Sequence, residues 1–177
     1  PEDMAWNDIG FSKDGIWLVG EFGRILRSGD GATWESVASP ARESLMAVDF
    51  AGPHGVIVGL NGVMLETRDS GVNWTRSPSK DPLPLYTVAV DGAGQTVIGG
   101  GRGSLFSVAA GMKPLESQRP ALRPSDVVLD VKIQYPEIVA LTDTHPMQAQ
   151  LPGAGVAAAG GVSGATDGEP LPTRIAH

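Results

Sequence analysis

The side chains best equipped for chemistry are few and scattered. Asp143-Thr144-His145 sets a carboxylate two residues from an imidazole, the pairing that orients a general base or supplies two metal ligands. No nucleophile-elbow sequence accompanies it, and Asp-Thr-His-Pro reads as a turn. The other two histidines, His54 and His177, stand far from it, with no His-Glu-x-x-His spacing or ligand cluster. Gly99-Gly100-Gly101-Arg102-Gly103-Ser104 has the composition of a phosphate-cradling loop but lacks the Lys and the helix that would complete one. Asp30 and Asp69 could act as acids only inside a pocket, and their sequence context places them in turns. The chain has no cysteine, so thiolate chemistry and disulfides are excluded. No catalytic residue, metal ligand or cofactor is expected.

The context of Asp69 is Thr67-Arg68-Asp69-Ser70-Gly71-Val72-Asn73-Trp74, which fits the Asp-box pattern Ser/Thr-x-Asp-x-Gly-x-x-Trp. The hydroxyl and carboxylate can accept turn amides, Gly71 permits the tight path, and Trp74 can pack in an apolar layer between sheets. A variant, one residue shorter between Asp and Trp, runs from Ser28 through Asp30 and Gly31 to Trp34. A third, Ser107-Val108-Ala109-Ala110-Gly111, has lost both the acid and the Trp.

These boxes sit in a repeat. Ile9, Val48 and Val88 open equivalent segments, 39 and then 40 residues apart. Val19-Gly20-Glu21-Phe22-Gly23, Val58-Gly59-Leu60-Asn61-Gly62 and Gly99 to Gly103 hold the same register. A period of about 40 residues made only of short strands predicts an all-β chain, a β-propeller of four-stranded antiparallel blades with Asp-box turns. In the first copy the strands fall at about 9–11, 17–21, 23–28 and 33–37. Asn61-Gly62, and Phe22-Gly23 and Arg102-Gly103 in its place, predict hairpin turns with positive φ at both central residues.

The pattern Val-Gly-x-x-Gly-x-Ile/Met-Leu followed by an Asp-box with Trp resembles the photosystem II stability/assembly factor family of Asp-box (BNR-type) β-propellers. The resemblance covers about residues 6–112, close in two copies and weaker in the third. It implies a propeller of about seven blades, acting in the periplasm or thylakoid lumen as a non-catalytic platform. The partner it implies is a protein, a membrane protein complex or its subunits. Asp-box propellers also include sialidases and glycan-binding proteins, so a sugar-directed role is the alternative. The Phe/Tyr-Arg-Ile-Pro segment of sialidases is absent from these residues.

Three copies, at about 6–40, 41–81 and 82–112, make up residues 1–112. They are too few to close a ring, which takes about four to eight blades, so the chain reads as the C-terminal portion of a longer propeller. Residues 113–125, with Pro114, Pro120 and Pro124, read as a linker. Residues 126–142 carry two strand-like runs, either a degenerate blade or a separate irregular segment. Residues 143–177, rich in Gly, Ala and Pro, read as a flexible tail.

A net charge of −7 leaves no broad basic surface, which argues against nucleic acid as a partner. The apolar run in the tail is too short and glycine-rich to enter a bilayer, which needs roughly 20 residues. On so acidic a chain the arginines stand out as carboxylate-reading anchors. Arg24, Arg27 and Arg102, on or beside equivalent hairpins, are the candidate partner-binding residues; Arg42, Arg68 and Arg76 lie in connections or turns.

Overall fold

The computed structural model describes residues 4–77, 82–108, 122–134 and 137–150. They form four antiparallel sheets. The first contains β1 (Trp6–Ser12), β2 (Gly15–Gly20), β3 (Ile25–Ser28) and β4 (Glu35–Val37); the second contains β5 (Leu45–Ala51), β6 (His54–Gly59), β7 (Met64–Thr67) and β8 (Thr75–Arg76). The third has three strands, β9 (Leu85–Val90), β10 (Thr96–Gly100) and β11 (Leu105–Val108). The fourth, also three-stranded, has β12 (Val128–Gln134), β13 (Glu137–Thr142) and β14 (Pro146–Gln150). Strands follow one another in chain order within each sheet, and the first strands β1, β5, β9 and β12 lie side by side in sequence. This is the arrangement of consecutive propeller blades, with the first strands innermost.

Short apolar runs such as Val56-Ile57-Val58 form the strands, and glycine turns end them. Phe22 and Gly23, Asn61 and Gly62, and Arg102 and Gly103 all have positive φ, between 56° and 71°. At Gly23 a Cβ would lie 2.1 Å from the Ala41 carbonyl oxygen, so the residue answers both a backbone conformation and a close approach.

The core lies between sheets. Trp17, Val19 and Ile25 of the first sheet meet Val48, Ile57, Leu65 and Trp74 of the second. Val56, Val58 and Met64 meet Leu85, Val88 and Ile98 of the third. Ala89, Val97 and Leu105 meet Val128, Val131 and Ile138 of the fourth.

Residues 126–142, which in sequence could be either a blade or an irregular segment, contribute β12 and β13 to the fourth sheet. The tail boundary after Thr142 is corrected: residues 142–145 turn the chain and β14 pairs along β13, Leu141 facing Pro146 and Val139 facing Gln148. The glycine-rich part of that tail, 151–177, and most of the linker, 113–121, lie outside the described residues, as do residues 109–111 of the third Asp-box remnant.

Candidate functional site

Both complete Asp-boxes are turns between the third and fourth strands of a sheet. Thr67 Oγ1 accepts the Gly71 amide at 2.9 Å, and Asp69 Oδ1 accepts the Asn73 amide at 2.9 Å. In the shorter first box each bond closes one residue earlier: Ser28 Oγ accepts from Gly31 at 2.8 Å, and Asp30 Oδ1 from Thr33 at 2.7 Å. These amides hold both carboxyls at about pKa 2, Asp30 through Thr33 and Ala32, Asp69 through the amide and side chain of Asn73. A group so acidic carries no proton to donate near neutral pH.

The two box tryptophans differ. Trp74 is buried, whereas Trp34 is only half-buried, because among the described residues no sheet covers the outer side of the first one.

The other sequence candidates are consumed by local structure. Gly100 and Gly101 give their amides to the carbonyls of Ser104 and Pro84, Gly103 gives its own to Asp126, and Gly99 lies against Val128. That loop has no fan of free amides for a phosphate. Asp143 accepts the Val127 amide, and His145 is tied through its carbonyl and ring to Thr142 and Thr144, so Asp143-Thr144-His145 is the β13–β14 turn. His54 Nε2 lies 3.0 Å from Glu66 Oε1, which Arg68 also approaches. His177 falls outside the described residues. Among the described residues, no group of three or more His, Cys, Asp and Glu is placed to hold a metal.

The three candidate arginines do not form one surface. Arg24 and Arg102 are exposed in the equivalent β2–β3 and β10–β11 turns, at the same end of the first and third sheets. Arg24 lies 5.0 Å from the Trp6 ring centroid. Arg27 points to the opposite end, where its guanidinium donates to the Asp14 carbonyl at 3.1 Å and lies 5.6 Å from the Trp17 ring centroid. Only Ile25 and Leu26 separate Arg24 from Arg27, which lies within β3, yet the extended chain aims the two apart. Arg76 forms a two-pronged pair with Glu43, at 2.9 and 2.7 Å, which holds the Glu43 carboxyl at about pKa 2.

Two carboxylates that tie neighbouring sheets together escape a sequence reading. Asp8 Oδ1 accepts the amide of its neighbour Ile9, while Oδ2 reaches across to the Val48 amide in the next sheet at 2.9 Å. Asp49 repeats this with Phe50 and, at 2.8 Å, Val90. Burial raises the Asp49 carboxyl above its ordinary value. The signal was the presence of Asp inside strands that otherwise read as apolar, a residue depleted from sheets. These clasps border a cavity of about 400 Å³ along the innermost strands, lined by Asn7, Met46, Tyr86, Asp130 and Lys132 among others. Its lining mixes apolar side chains with the polar groups of Asn7, Asp49, Asp130 and Lys132.

The family model described as photosynthesis system II assembly factor YCF48 matches residues 1–99. The photosystem II stability/assembly factor HCF136 of Arabidopsis thaliana is 32% identical over 87 residues, covering 44% of this chain and 22% of that protein. The photosystem II assembly lipoprotein Ycf48 of Synechococcus sp. (strain CC9902) is 34% identical over 90 residues, covering 48% of this chain and 26% of that one. Among solved structures, YCF48 bound to a D1 peptide superposes with a TM-score of 0.59 at 18% identity, over 80% of this chain and 48% of that one. The computationally designed Ika4 protein superposes with a TM-score of 0.69 at 12% identity, over 85% and 94%. The matches span about a quarter of the curated relatives and about half of the solved YCF48. At such identities the structural likeness carries the propeller fold, and the family model, matching more than half of the residues, carries the kinship: the chain belongs to the photosynthesis system II assembly factor YCF48 family.

Proposed function

We propose that this chain is part of a non-catalytic interaction platform that assists assembly or stability of a membrane protein complex outside the cytoplasm. The observation that carries this reading is the family match over residues 1–99, whose named relatives are photosystem II assembly factors. One solved relative is described as bound to a D1 peptide, which supports a segment of a membrane protein subunit as the ligand class here. The extracytoplasmic setting follows the same relatives, one of them a lipoprotein and another chloroplastic. No helix among the described residues is long and apolar enough to cross a membrane. Arg24 and Arg102 are the cations we assign to the partner-facing end, since both are exposed on equivalent turns of an acidic chain.

The test is capture from native membrane extract on the immobilised chain, with bound proteins identified by mass spectrometry. Subunits of a membrane complex should be retained, and an Arg24→Gln/Arg102→Gln double variant of unchanged melting temperature should lose them. Retention of glycoconjugates alone would replace this reading with the sugar-binding one.

A further inference from the structure

Three equivalent turn tips stand at one end of the first three sheets. Phe22, Asn61 and Arg102 occupy the same position in the β2–β3, β6–β7 and β10–β11 turns, with φ of 56°, 56° and 57°. All three are exposed. Asn61 is exposed although its sheet is packed on both sides, so the geometry of the repeat holds these tips clear of the junctions. Asn is an ordinary occupant of left-handed backbone, whereas Phe and Arg are not. Phe22 is 69% exposed, so burial of its ring offsets little of that strain. Strain kept at a side chain that packs on so little points to function rather than folding.

The charge at that end is one-sided. The connection 38–44 crosses the first turn, bringing the Ala41 carbonyl against Gly23, and it carries the exposed Arg42. The carboxylates in the turns and connections there are already engaged. Glu21 accepts the Ala5 amide, Glu43 is held by Arg76, Asp126 accepts the Arg123 amide and Asp143 that of Val127. Among the described residues, Arg24, Arg42 and Arg102 have no carboxylate partner. Asp14, Asp30, Asp69 and Asp91 all lie in turns at the opposite end.

We propose that the tip end binds an extended segment of a partner protein, with Phe22 anchoring an apolar side chain and Arg102 reading a carboxylate. This rests on the interaction-platform reading above and adds the chemistry of the ligand. Aromatic and arginine side chains are the types that anchor interfaces. Packed sheets stand about 10 Å apart, which puts the first and third tips about 20 Å from each other. An extended chain advances about 3.3 Å per residue, so the apolar and acidic side chains of the ligand fall about six residues apart. An even spacing keeps both on one side of the extended chain. Asn61, between them, offers an amide to the ligand backbone, and Arg24 and Arg42 reinforce the attraction for an acidic segment.

Selection of random displayed peptides on the immobilised chain tests this. Enriched peptides should share an apolar residue and an Asp or Glu about six positions apart. A synthetic one should bind about tenfold or more weakly to Phe22→Asn and to Arg102→Asn, each of which installs the residue of the second tip. Phe22→Asn should erase the apolar preference and keep the acidic one, and Arg102→Asn should do the reverse. Both variants should melt no lower than the unaltered chain, because Asn suits the left-handed backbone. No enriched peptide, a pair without fixed spacing, affinity that survives either substitution, or a lowered melting temperature would each overturn the proposal. If membrane-complex subunits are captured but no peptide is selected, this ligand assignment falls and the platform reading stands. Peptides that obey the pattern, with no such capture, would do the reverse.

Discussion

Trp17 and Trp74 meet edge to face across the first junction, ring centroids 5.9 Å apart and planes at 77°, with Phe50 tilted against Trp17 at 5.2 Å and edge-on to Trp74 at 5.9 Å. Trp17 belongs to the first sheet and Trp74 closes the Asp-box of the second, so the box fastens its own sheet to the one before it. Trp74→Ala should therefore cost about 3–5 kcal/mol in urea unfolding. Trp34→Ala, at the half-buried equivalent, should cost clearly less. Equal losses would show that the tryptophans act within their turns rather than across the junction.

The Asp-box acids make stability depend on pH. Asp30 and Asp69 titrate at about 2 in the folded chain, against an ordinary value of 3.8. A carboxyl with a lower pKa when folded stabilises the fold above its unfolded value, and that contribution fades as pH falls toward its folded one. The melting-temperature gap between the unaltered chain and Asp69→Ala should hold constant from neutral pH to about 4 and narrow below it. A gap independent of pH in that window would assign the effect to something other than the charged carboxylate.

Gly71 and Gly31 share a left-handed backbone, at φ 85° and 76°, but not a neighbourhood. A Cβ on Gly71 would lie 2.1 Å from the Trp17 ring, while one on Gly31 would meet nothing closer than the Ile16 Cδ1 at 3.6 Å. Both alanine variants bear the roughly 1–2 kcal/mol of left-handed strain. Gly71→Ala must also displace Trp17 and should lose substantially more, read by calorimetry. Matching losses would mean that the ring moves aside freely.

Asp49→Ala should weaken the second junction by roughly 1–3 kcal/mol, the cost of leaving a partly buried amide unpaired. Asp49→Asn keeps an acceptor oxygen and should lose less. Hydrogen exchange at the Val90 amide gives the local reading: it should quicken in the alanine variant, and unchanged protection there would dismiss the clasp.

Turn chemistry was the most legible part of this chain. Phe22-Gly23, Asn61-Gly62 and Arg102-Gly103 took the positive φ their repeat position demanded, although Phe and Arg are unusual choices for it. The two Asp-boxes were equally legible, down to the one-residue shift in the shorter one. What sequence hid was mostly what crosses between sheets. Asp8 and Asp49 look like isolated polar interruptions until the neighbouring strand is in place. Arg24 and Arg27 look like one cluster, because a linear reading does not carry the opposite directions in which a strand sends their guanidinium groups. β14 was missed because Pro146-Met147-Gln148-Ala149-Gln150 has little β-branched or aromatic character and gains its strand from pairing with β13.

Placing every core between two sheets gives the molecule a particular way of coming apart. A sheet excised from it has no interior, so its folding is conditional on a neighbour, and cooperativity passes only from one junction to the next. Loosening then starts at whichever rim is uncovered and advances inward like a zip, with the second and third sheets the last to yield. The outer sheets are then the natural reserve of plasticity and the middle is the fixed template.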